Sequence, residues 1–79
     1  MISFNISLPT IDAVRRFVGI TGKYRVDVDL MSGRYIVDGK SIMGIFSLKL
    51  DQPVNVLIHE DAHPDEAQAL AEELKVFAL

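Results

Sequence analysis

Residues 38–48 read Asp38-Gly39-Lys40-Ser41-Ile42-Met43-Gly44-Ile45-Phe46-Ser47-Leu48. Gly39-Lys40 is a connector, Ser41 carries the hydroxyl of a helix N-cap, and Ile42, Met43, Ile45, Phe46 and Leu48 form the short apolar segment behind it. The spacing predicts a short helix. On its N-terminal side, Tyr24 to Met31 alternates, with Tyr24, Val26, Val28 and Leu30 opposed to Arg25, Asp27 and Asp29, and Ser32-Gly33 leads into Arg34 to Asp38. This is a β-hairpin with a wet, acidic outer face. On the C-terminal side, Pro53 to Glu60 is a strand in which Val54, Val56 and Ile58 share a face.

Further out, Ile2, Phe4, Ile6 and Leu8 alternate with Ser3, Asn5 and Ser7, the period of a half-buried strand that Pro9 ends. Thr10 is a candidate N-cap, and Ile11, Val14, Phe17 and Val18 recur at helical spacing before Gly22, predicting a helix over Ile11 to Thr21. From Pro64, a favoured first helical position, Ala67, Leu70, Ala71, Leu74 and Phe77 or Ala78 make one apolar stripe, with Asp65 and Glu66 at the end where the helix dipole favours acids. The order β-α-β-β-α-β-α predicts an α+β fold: an open-faced two-layer sandwich of a four-stranded antiparallel sheet with three helices on one face.

Length and composition set the class. Seventy-nine residues are too few for two cores, so one domain over residues 1–79 is expected. A composition 49% hydrophobic and 24% charged belongs to a folded chain. Without cysteine there is no disulfide, thiolate nucleophile or sulfur metal ligand. No apolar run approaches the roughly 18–20 residues that span a bilayer and the N-terminus lacks a signal peptide's regions, so the expected location is the cytoplasm. A net charge of −3 with 8 Lys and Arg argues against nucleic acid and anionic membrane as partners.

Three patterns suggest chemistry. His59-Glu60-Asp61-Ala62-His63 satisfies the zinc-protease pattern, in which a helix must turn both imidazoles to one metal. Here it starts in a strand and runs into Pro64, and no third His or Cys completes a site, so the two histidines read as surface imidazoles and no metal is expected. Gly39-Lys40-Ser41 is like the end of a phosphate-binding loop, but Arg34 stands where the first glycine belongs. Asp27 and Asp29 share a strand face as paired carboxylates would, with no base or pocket evident beside them. No cofactor is expected, and the chain reads as a non-enzyme.

Residues 38–48 resemble the regulatory-serine segment of HPr, the phosphocarrier family of the bacterial sugar phosphotransferase system, in which Lys-Ser-Ile-Met-Gly and a following Ser-Leu are characteristic. The resemblance extends over the whole chain in element order and length. It implies the HPr-like sandwich and a phosphocarrier histidine at the start of the first helix, with an arginine and a proline after it. By the family's spacing these fall at Thr10, Asp12 and Ala13, so all three are missing and an acid stands in place of the phosphate's cation. The chain is similar to the histidine-lacking, Crh-like members. The resemblance implies a regulatory role: Ser41 as acceptor for an ATP-dependent serine kinase, and a transcriptional regulator as docking partner of the phosphorylated form.

The leading expectation is therefore a protein-binding module, monomer or weak dimer, that presents Ile42, Met43 and Phe46 flanked by Arg15 and Arg16. Alternatives are a phosphotransferase-system component with a non-standard acceptor and a structural subunit without phosphorylation. For Ser41 itself the plain alternative is an N-cap; for Arg15 and Arg16, a wet helix face; for the apolar trio, packing of two into the core.

Overall fold

The computed structural model describes all residues, Met1–Leu79. The elements run β1 Ile2–Ile6, α1 Ile11–Thr21, β2 Asp27–Ser32, β3 Tyr35–Asp38, α2 Ile42–Phe46, β4 Val54–His59 and α3 Pro64–Leu74, which tightens into a 3₁₀ turn at Lys75–Phe77. The strands form one antiparallel sheet in the order β1-β4-β2-β3.

Strand alternation sorts this sheet into a dry face and a wet one. Ile6, Val28, Leu30, Val54, Val56 and Ile58 point to the helices and join Val14, Phe17, Ile45, Ala67, Leu70 and Leu74 in one cluster of 17 buried residues. All three helices thus cover the same face, as expected. The uncovered face carries a polar ladder in which Ser3 Oγ donates to Asn55 Oδ1 at 3.2 Å and Asn55 Nδ2 to Asn5 Oδ1 at 3.1 Å. The hairpin closes with two residues, Gly33-Arg34, between the paired Ser32 and Tyr35. Gly33 has φ 59°, which the right-handed twist of the strands requires at the first turn position and which a Cβ would penalise.

Several boundaries differ from the sequence reading. The second strand starts at Asp27 rather than Tyr24. The preceding residues are tied to α3 instead: the Arg25 backbone N–H donates to Glu66 Oε1 at 3.0 Å, and the Tyr24 hydroxyl to Glu73 Oε2 at 2.9 Å. Arg25 therefore lies outside the strand, although it still borders a groove lined by Asp27 and Asp29, and its guanidinium pairs with Glu66. β1 stops at Ile6, although Leu8 stays buried. Ile11 lies exposed on the wet side of α1. At the C-terminus Phe77, not Ala78, completes the stripe, with its ring edge-on to Phe17 at 5.9 Å between centroids.

Candidate functional site around Ser41

The segment before α2 is fixed residue by residue. Asp38 Oδ1 accepts the Lys40 N–H at 2.9 Å and the Asp38 carbonyl accepts the Ser41 N–H at 3.1 Å, a tight turn stabilised by its own side chain. Gly39, inside that turn, is buried. Its N–H donates to the Val28 carbonyl at 2.7 Å and its carbonyl accepts the buried Thr21 hydroxyl at 3.0 Å. Lys40 Nζ donates to the Tyr24 carbonyl at 2.6 Å. One short stretch is thereby bound to β2, to the end of α1 and to the bend before β2.

Ser41 follows as a true N-cap, with extended backbone and Oγ accepting the Gly44 N–H at 3.1 Å. Glycine at 44 has a local reason: an added Cβ would sit 3.3 Å from Ser41 Oγ and 3.4 Å from Val37 Cβ. The cap can approach the helix, and the helix can approach β3, because that side chain is missing. Gly39-Lys40-Ser41 is thus a turn feeding a cap and not a phosphate cradle. No acid lies in the first turn of α2, so negative charge added at Ser41 meets free N–H groups without like charge within the helix.

Behind the cap, Ile45 and Leu48 are buried, and Ile42 packs partly against the core. Met43 is 80% exposed and Phe46 43% exposed. The expected trio therefore reduces to Met43 and Phe46, because Ile42 lies on the helix face that meets the sandwich. Arg15 and Arg16 are both on the exposed side of α1, which packs against α2. Arg16 is partly committed elsewhere: its guanidinium stacks 5.7 Å above the Phe77 ring at the other end of the chain.

At the start of α1, Thr10 Oγ1 accepts the Ala13 N–H at 3.0 Å, and Asp12 occupies the first turn. This helix N-terminus is closed by a hydroxyl cap and carries an acid where a phosphoryl group would need a cation.

The zinc-protease pattern lies where the sequence reading puts it, and His59 alone gains a specific partner. β4 ends at His59 and α3 begins at Pro64, so the zinc-protease pattern spans a strand end and a loop. His59 is not a free surface imidazole: its Nε2 lies 2.8 Å from Asp29 Oδ2 across the β2–β4 ladder. Nor is the Asp27/Asp29 face featureless. Both acids line an open groove of about 650 Å³ together with Asp38, His59, Asp61 and His63. Strand parity already placed His59 and Asp29 on the wet face; only the register between two strands distant in sequence was missing.

No protein-family model matches the sequence, and no curated protein matches it. Solved structures do resemble the fold. HPr-C-His from Thermoanaerobacter tengcongensis superposes with a TM-score of 0.73 at 23% identity, over 95% of this chain and 92% of that one. The phosphocarrier protein HPr of Bacillus anthracis gives 0.65 at 18% identity, over 92% and 95%. A Mycoplasma histidine-containing phosphocarrier protein gives 0.69 at 11% identity, over 95% and 93%. At these identities the likeness establishes the fold: the chain is an HPr-like open-faced sandwich from end to end.

Proposed function

We propose that this HPr-like chain is a non-enzymatic docking module related to the sugar phosphotransferase system, regulated through Ser41 and unable to carry phosphate on histidine. The observation that carries this reading is the pairing of a hydroxyl N-cap with an exposed methionine two residues later, on a helix whose Ile45 is buried in the core and whose Phe46 is also exposed. Phosphate at Ser41 adds about −1.5 to −2 charges while leaving oxygens to accept the Gly44 N–H, so the helix persists and the surface around Met43 becomes more negative. Methionine suits such a surface, being flexible and polarisable. The N-terminus of α1 supports the other half of the proposal, since Thr10 and Asp12 supply neither an imidazole nor a cation. The partners this reading implies are a serine kinase and a transcriptional regulator; the site uses no cofactor or metal.

The test has three arms. Incubation with ATP and an HPr-type serine kinase should give one phosphoserine, at Ser41, and none in Ser41→Ala. Incubation with phosphoenolpyruvate and the general phosphotransferase enzyme should leave the protein unlabelled. Binding of the phosphorylated form to the family's catabolite regulator should weaken about thirtyfold in Met43→Ala or Phe46→Ala, a loss of about 2 kcal/mol expected of hot-spot anchors. Glu72→Ala, on α3, should bind as wild type. Phosphohistidine at His59 or His63, or no phosphoserine at Ser41, refutes the reading.

A further inference from the structure

The two edges of the sheet are treated differently. Beside β1, the chain's own end closes part of the edge: Ala78 bridges Ile6, the Ser7 N–H donates to the Phe77 carbonyl at 2.9 Å, and the Leu79 N–H to the Asn5 carbonyl at 3.3 Å. β3, the opposite edge, has a neighbour only in β2. In a two-residue hairpin the residues flanking the turn form a hydrogen-bonded pair, so Tyr35 and Val37 turn their backbone groups to β2 and Ile36 turns its N–H and C=O outward. Edge strands are usually blunted by proline, a bulge or a central charge. β3 contains no proline and its central residues, Ile36 and Val37, are uncharged; Tyr35 and Ile36 are 73% and 59% exposed.

We propose that this edge pairs with the same edge of a second copy of the chain, antiparallel and centred on Ile36. Charge complementarity selects that occupant. A two-fold axis at Ile36 sets Ile36 against Ile36 and Tyr35 against Val37, and brings Asp38, the last strand residue of each copy, beside the turn residue Arg34 of the other, so the segment Arg34 to Asp38 is complementary to itself in charge. Each charge is free to take such a neighbour. Arg34 forms no ion pair within the chain, whereas Asp38 lies directly opposite Asp29 in the β2–β3 ladder, a like-charge pair. His59 meets Asp29 from the β4 side. Arg34 of a second copy would meet Asp38 from the open side, so the Asp29–Asp38 like-charge pair would be flanked by His59 on one side and a cation on the other. The pairing does not depend on Ser41 or its phosphorylation.

Sedimentation equilibrium over a range of concentrations, with the full chain, tests the pairing. Wild type should show a weak, concentration-dependent dimer. Arg34→Asp and Asp38→Arg should each raise the dissociation constant at least about tenfold, because each turns two attractive cross-strand pairs into repulsive ones. Mixed in equal amounts, the two variants should recover near-wild-type association, since every 34–38 pair is again opposite in sign. Asp38 also holds the turn to Lys40. A second set avoids it: Ile36→Asp and Ile36→Lys should each be monomeric alone and associate when mixed, as residue 36 faces its own copy. Wild type that stays monomeric at the highest soluble concentration overturns the proposal and leaves the edge to a strand of another protein. A dimer indifferent to these substitutions, or variants that fail to recover on mixing, also overturns it.

Discussion

Gly39→Ala is the substitution to which the Ser41 segment should be most sensitive. A Cβ at this position would lie 2.7 Å from Val28 Cγ1, 3.0 Å from the Val28 carbonyl oxygen and 3.2 Å from its carbon. Val28 cannot step aside cheaply, because it is β-branched, packed in the core and part of the central strand β2. Two of the three close atoms are backbone. Overpacking of this kind costs about 1–3 kcal/mol, and stretching the 2.7 Å bond from the Gly39 N–H to the Val28 carbonyl adds up to about 1 kcal/mol. Glycine 39 does not have a positive φ, so alanine recovers about 0.4–1 kcal/mol through a less flexible unfolded chain. The net expectation is a loss of about 2 kcal/mol, which lowers the melting temperature of a domain this size by about 8–16 °C. Urea unfolding followed by circular dichroism measures it. Gly19→Ala is the matched control: nothing lies within 4 Å of its added Cβ, and an exposed helix interior should gain about 0.5–1 kcal/mol. A Gly39→Ala variant more stable than wild type would refute the packing account.

Ser41→Ala should cost about 1 kcal/mol in the same assay through the lost cap, whereas Ser41→Asp should unfold close to wild type because aspartate caps equally well. Thr21→Val keeps the shape of a fully buried residue but removes the hydroxyl shared between the Gly39 carbonyl at 3.0 Å and the Val18 carbonyl at 3.3 Å; about 1–2 kcal/mol should be lost. Hydrogen bonds from the Arg25 backbone and then its side chain hold the Glu66 carboxyl below its usual 4.5. A depressed carboxylate stabilises the fold above the unfolded value and loses that contribution as pH falls through the folded one, so wild type should weaken below about pH 4.5. Glu66→Gln should be less stable than wild type at neutrality and show a shallower acid decline, read from urea midpoints at stepped pH.

Much of this molecule is legible in sequence because its apolar residues keep strict periods. Val54, Val56 and Ile58 alternate and Val14, Phe17, Ala67, Leu70 and Leu74 repeat at helical spacing, and all of these residues are buried. Local signals also held where one residue does the work: Thr10 and Ser41 cap the helices they precede, and Gly33 makes the hairpin turn. What periodicity does not specify is which distant segment supplies a partner. Arg25 reads as a strand residue by alternation, yet Glu66, 41 positions away, takes its N–H, and the strand starts only at Asp27. Ile42 and Met43 are adjacent apolar residues in sequence, and only the direction from which the sheet approaches α2 separates the packed one from the exposed one. The His59–Asp29 contact likewise waits on the β2–β4 register.

This distinction also bears on what the motif around Ser41 means. Within Gly39 to Gly44, nearly every residue has a task inside the molecule: Gly39 fits against Val28, Lys40 reaches Tyr24, Ser41 caps, Ile42 packs, and Gly44 makes room for the cap and for Val37. A match at those positions follows from the fold alone and says nothing about phosphorylation. Met43 is different, because four-fifths of its surface is in water and no contact in the sandwich calls for a large apolar side chain there. Stability would favour, or at least accept, a lysine or glutamate at that helix position. The residue that the fold leaves unexplained is therefore the one most informative about function, and Met43→Glu separates the two roles: unfolding should be unchanged while partner affinity collapses.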